Sequence, residues 1–251
     1  MRYNDKMMNN TVTYDFEDGA GPVPAHQHSN GGGWVANTAR VAASAFVGPN
    51  AKVYGKAEVY GNAKVSDTAG VYDYGVVSGN AKVYGHSTVG DTAHVYGNAE
   101  VYDEAWIFGN ARIGGNAKVY GGASIFGNAK VYDGAVANGS AKVYDDAKVY
   151  GDAQVYGAAW IFGTVRIDGY AQVYEHAKVH GNARVGAIAK VYGHSTVGGT
   201  AEVSGNAHVY GDAVIGSNAI VEGNAEVYGT ALVNGKNSRI GGTRQVCGTV
   251  E

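Results

Sequence analysis

AWIFGNARIGGNAKVYGGASIFGNAKVY, residues 105–132, is one six-letter phrase repeated with substitutions. The phrase is close to V-Y-G-N-A-K, and it decides the fold. Stepping by six from Val35 to Val233 gives 34 positions, and all but Ala137 are Val or Ile. Four residues after each stands a second column, Ala39 to Ala231. Of its 33 positions 29 are Ala, the exceptions being Gly75, Ser87, Val165 and Ser195. No insertion breaks the phase between Val35 and Val233.

A period of six with two inward positions does not fit a helix of 3.6 residues per turn. A β-branched residue in one column favours extended backbone, and Gly-Asn between the columns tolerates the positive φ of a bend. Each hexad therefore reads as one short strand and one corner. Three hexads close a triangular coil of 18 residues, and coils stack as parallel strands about 4.8 Å apart. The expected fold is all-β, a single-stranded parallel β-helix of about eleven coils, roughly 50–55 Å long at that spacing. Longer repeats agree. KVYGHSTVGDTAHVYGNAEVY (82–102) recurs as KVYGHSTVGGTAEVSGNAHVY (190–210), and AWIFG at 105 recurs at 159, both offsets being whole numbers of coils.

The V-Y-G-N-A-K phrase resembles the hexapeptide repeat of left-handed parallel β-helix proteins. GGGWV (31–35), leading into GNA repeats, resembles the YdcK-like group of bacterial and phage hexapeptide-repeat proteins. The resemblance covers about residues 35–233 and implies a left-handed coil, an exception to the usual right-handed crossover. Periodicity alone does not give the hand.

Composition narrows the function. The 251-residue chain carries 40 Gly and 45% apolar residues at a formal charge of −3, a repeat composition and not a disordered one. Cys247 is the sole cysteine, so neither a disulfide framework nor a cysteine metal site is expected. No apolar run is long enough to span a membrane, and MRYNDKMMNN lacks a signal-peptide core. The expectation is a cytoplasmic protein, in a host cytoplasm if phage-encoded, that is not a dedicated binder of duplex DNA. Residues 1–33 and 234–251 depart from the repeat. They are expected to cap the two ends of the 34–233 helix, the first alternatively forming an assembly arm, because open ends invite unwanted pairing.

Outward residues flank each repeat aliphatic, and 15 of the 19 tyrosines directly follow one. Three faces result. The first carries Trp106/Phe108, Ser124/Phe126, Lys142/Tyr144 and Trp160/Phe162 in adjacent coils. This predicts an apolar patch, with Trp106, Phe108, Phe126, Tyr144, Trp160 and Phe162 as the interface of a homodimer or homotrimer. Mutual stacking that merely shields backbone is the competing reading. The second face carries Arg112, Lys130, Lys148, Arg166 and Arg184, with Tyr132 and Tyr150 among them. Stacked like charges beside aromatics suggest an anionic, nucleotide-like partner. The alternative is a solvated face neutralised by Asp133, Asp145, Asp146, Asp152 and Asp168. The third face is a tyrosine ladder, Tyr84 to Tyr228, broken only at Asn138; it serves stacking or a second interface.

His176 and His194 are expected to stack at a corner, and His86 to pair with Glu104. No third ligand accompanies either pair, so neither a metal nor another cofactor is expected. His26 and His28 are open between capping and surface roles. The hexapeptide resemblance also implies acyltransferases, but those carry a loop over the acyl donor, a catalytic histidine beside it and a terminal helix. None is visible here, and only His176, His180 and His194 offer candidates. The reading favoured is a non-catalytic binding scaffold, with a phage-type sequestering or inhibitor protein as its concrete form. A protein or an anionic small molecule is the partner, and a filament is the third class.

Overall fold

The computed structural model describes residues 12–235 and 238–250. It is an all-β parallel solenoid of two-residue strands and sharp corners. Three parallel sheets run its length: two of twelve strands, and a third of fifteen that includes two N-terminal strands. From Trp34 onward each strand pairs in parallel with the one a coil away, as in Trp106↔Ser124 on the first face, Arg112↔Lys130 on the second and Glu100↔Lys118 on the third. Backbone bonds run both through strands and around corners, so Trp106 N–H donates to Ala123 O at 2.9 Å and Asn110 N–H to Gly127 O at 2.7 Å.

The core is the two predicted columns. Val47 to Val233 and Ala45 to Ala231 are essentially without solvent exposure, as is Ala137. Ser87 and Ser195 place a hydroxyl in the Ala column, and each bonds the carbonyl three residues back, Tyr84 O at 2.7 Å and Tyr192 O at 2.8 Å. A buried hydroxyl without such a partner would cost a few kcal/mol.

From Gly55 to Gly229 the first corner residue is left-handed in every hexad. Where it is not Gly it is usually Asp, as at Asp91 (φ 51) and Asp103 (φ 56). The carboxylate does a second job there. Asp91 Oδ2 accepts from Gly109 N–H at 2.8 Å and Asp145 Oδ2 from Gly163 N–H at 3.0 Å, both one coil on.

The N-terminal segment covers two of the three sheet edges. Strands β1 (Thr13–Tyr14) and β2 (Val23–Gln27) are antiparallel, and β2 pairs antiparallel with β3 (Trp34–Ala36), closing the first face. Residues 28–33 close the third face: Val47 N–H donates to Asn30 O at 3.0 Å and Gly33 N–H to Val47 O at 2.9 Å. A Cβ on Gly31 or Gly33 would collide with the Val47 and Gly48 carbonyls, which explains the GGG before Trp34. His26 and His28 belong to this segment. His26 Nδ1 lies 2.9 Å from Asn37 Oδ1, and buried His28 puts Nε2 3.1 Å from Ala45 O. Residues 1–11 lie outside the described residues, and with them that part of the expected 1–33 cap or arm.

At the other end the ladder runs past the expected boundary at Val233. Arg239–Ile240, Gln245–Val246 and Thr249–Val250 add a twelfth coil in place of the expected eleven. Past the phase break Ile240 still points inward, 2% exposed, and Arg239 outward.

Candidate interaction faces

On the first face the rings divide into two columns. Phe108, Phe126, Tyr144 and Phe162 stack face to face with centroids 5.0, 4.7 and 5.1 Å apart, and His180 continues the stack at 5.2 Å. All are half-buried by one another. The stacking alternative therefore accounts for these four, which present ring edges and not faces. The other column, before the repeat aliphatic, is the exposed one. Trp106 is 57% exposed and Trp160 39%, and Val214 and Leu232 follow further along the same column. The patch is not uniformly apolar, because Lys142 and Lys178 lie one coil either side of Trp160 with Nζ 4.9 and 5.8 Å from its ring centre.

On the second face the five cations are direct strand neighbours, Arg112↔Lys130↔Lys148↔Arg166↔Arg184. Of the five acidic residues expected to neutralise them, only Asp168 makes an ion pair, with Arg184 Nη2 at 3.0 Å. Asp133 and Asp145 are spent on corner amides, and Asp146 accepts the Asn128 amide at 3.0 Å. Among the described residues Arg112, Lys130, Lys148 and Arg166 have no acidic partner within salt-bridge distance. Tyr132 and Tyr150 stack with centroids 5.2 Å apart and planes at 4°, so their facing surfaces close on each other. Burial pushes the Tyr150 phenol up, and its bond to Asp168 pushes it further. Burial also pushes the His94 imidazole down, helped by Arg112.

The third face is the expected ladder. Tyr84, Tyr102 and Tyr120 stack at 4.9 and 4.7 Å, and Asn138 joins the break by donating to the Tyr120 hydroxyl at 2.8 Å. Tyr156 to Tyr228 resume it. Around Glu100 the charges on this face alternate: Glu100 accepts from Lys82 at 2.8 Å and lies 4.0 Å from Lys118.

His176 and His194 stack at 4.8 Å as expected, whereas His86 bonds the Thr68 hydroxyl of the coil before it. No group of three or more His, Cys, Asp or Glu is placed to hold a metal among the described residues. No helix there is long and apolar enough to cross a membrane. Two residues missed in sequence are Tyr170 and Ile188, 65% and 50% exposed at one corner where Asn is the common occupant. Their signal was the break in the Asn column. No protein-family model matches the chain, and no curated protein matches it.

Proposed function

We propose that this chain is a non-catalytic β-solenoid scaffold of the YdcK-like type. It self-associates through its first face and offers its second face to an anionic partner, which it sequesters. One observation carries the self-association: Trp106, Trp160, Val214 and Leu232, four large exposed apolar side chains, stand in one column of one sheet. Exposed apolar side chains recurring along one column, with Ser124, Lys142, Lys178 and Thr196 between them, favour a partner of the same regularity, and a second copy supplies it. Burying Trp and aliphatic side chains of this kind contributes several kcal/mol to association. The cation column beside it supports the anionic partner.

Light scattering on the purified chain tests the reading. A mass of two or more chains that falls to one in Trp106→Ser with Trp160→Ser supports it, and an unchanged mass removes the first face as the interface. Turnover of an acyl-CoA donor would replace the scaffold by an enzyme.

A further inference from the structure

The second face differs from the rest of the rod in how its charges are stacked. Elsewhere opposite charges are set one coil apart at several places, Lys82 under Glu100, Arg40 under Glu58 and Glu222 under Arg239, and the like-charged neighbours Lys64 and Lys82 make a run of only two. Between Arg112 and Arg166 four consecutive coils carry a cation with no acid on it. Like charges directly opposite on neighbouring strands destabilise a sheet. The fold could have alternated them here, as it does at Lys82, Glu100 and Lys118. A row left uncompensated in the free protein is complementary to anions supplied from outside.

The row's geometry selects among polyanions. Its charges are anchored in a straight file parallel to the axis, one per coil, about 4.8 Å apart. An acidic peptide strand, with carboxylates on both of its sides, advances about 3.4 Å per residue and drifts out of step with the coils. A stacked nucleic-acid strand advances about 3.4 Å per phosphate. Sequence-tolerant binding of single strands further needs open aromatic faces. Tyr132 and Tyr150 are stacked on each other, and the Tyr150 hydroxyl is spent on Asp168 at 2.9 Å. A 1,4-linked hexuronate chain advances by close to one coil per ring, so its register holds along the row. Its carboxylates alternate between the two edges of the ribbon, and the long Lys and Arg stems reach both. Beside the cations a corner ladder of Asn128, Thr164 and Asn182 lines the same shallow groove of about 340 Å³ and is held rigid by its own bonds, Thr164 Oγ1 donating to Gly181 O and to Asn182 Oδ1, both at 3.2 Å. Asp146 is the one acid in that groove, and its Oδ1 is held by Asn128.

From this we infer that Arg112, Lys130, Lys148 and Arg166 form a track for a linear acidic polysaccharide, a polyuronate lying along the rod. The inference rests on the anionic-partner half of the function proposed above.

Fluorescence polarisation with end-labelled oligogalacturonates of increasing length tests it on the whole chain. A thymidine oligonucleotide, polyglutamate and a neutral gluco-oligosaccharide serve as comparisons at equal salt. Affinity should rise with length until the oligomer spans the four coils and then level off. Lys130→Gln with Lys148→Gln should weaken it by about tenfold or more. Lys82→Gln on the third face should not change it, and circular dichroism should show the same fold in all three proteins. Uronate binding undiminished in the double variant overturns the track. Tighter, variant-sensitive binding of the oligonucleotide or polyglutamate overturns the polysaccharide and leaves the anionic-partner reading standing. No binding by any polyanion overturns both.

Discussion

Arg184 holds Asp168 with two nitrogens, Nη2 at 3.0 Å and Nε at 3.1 Å from Oδ2, and the same oxygen accepts from Tyr150 at 2.9 Å. Asp168 also leans over Gly186, where a Cβ would meet its Oδ1 at 2.6 Å. This closed cluster ends the row of unpaired cations. Asp168→Asn should keep a bond to Tyr150 and release the Arg184 charge. Polyanion affinity is then expected to rise several-fold, read by the same polarisation titration. Arg184 is 54% exposed, so the pair contributes no more than about 1 kcal/mol and melting should move by a few degrees at most. An unchanged or weaker affinity would show that the row does not act through its summed charge.

Tyrosine ionisation should set the alkaline limit of the rod. The phenols of Tyr102 and Tyr174 are pushed up to about 12, by burial first and then by the tyrosines stacked on either side. The folded state therefore favours the neutral phenol. Its contribution is whole below the ordinary value of about 10 and is lost as pH rises through 12. Thermal melts followed by circular dichroism should fall steeply across that window. Tyr102→Phe with Tyr174→Phe should flatten the fall, and tyrosinate absorbance should titrate late in the parent protein. Phenols that titrate normally while the fold is intact would refute it.

Ala187 sits at a corner with φ 58, where almost every other coil has Gly or Asp. A left-handed Ala costs roughly 1–2 kcal/mol, part of which Gly returns through its greater unfolded freedom. Ala187→Gly should stabilise the chain by roughly 1 kcal/mol, seen as a higher urea midpoint at unchanged slope. A lower midpoint would mean that the Ala methyl makes a contact worth more than its strain.

The coil was legible because its two determinants are local and periodic. A small core accepts Val at one position and Ala at another, and the six-residue step carries both columns from Val35 to Val233 without an insertion. Periodicity also assigned each outward residue to its face. It could not say how a side chain lies, since that depends on the residue one coil away. The Tyr72 and Tyr96 rings fold over Gly90 and Gly114, and the His180 ring over Gly198, because those glycines leave the space. Likewise Phe108 looked exposed but is half-covered by Phe126, whereas Trp106 is followed by Ser124 and stays open. The antiparallel N-terminal strands and the twelfth coil lay outside the period, so no repeat could announce them.

The two exposed tryptophans should therefore not be equivalent in self-association. Trp160 lies between Lys142 and Lys178, whose cations rest on its ring. Covering it with another chain must desolvate or displace those ammonium groups, and this offsets part of the gain. Trp106 is more exposed and has only Thr88 and Ser124 as strand neighbours. A buried aromatic anchor of this kind is worth about 2 kcal/mol or more. Trp106→Ser should weaken association by roughly tenfold or more, and Trp160→Ser by clearly less. Sedimentation equilibrium of the two single variants measures the difference, and Lys142→Gln separates the cation's part. A larger loss in Trp160→Ser would move the centre of the interface toward the Val214 and Leu232 end of the column.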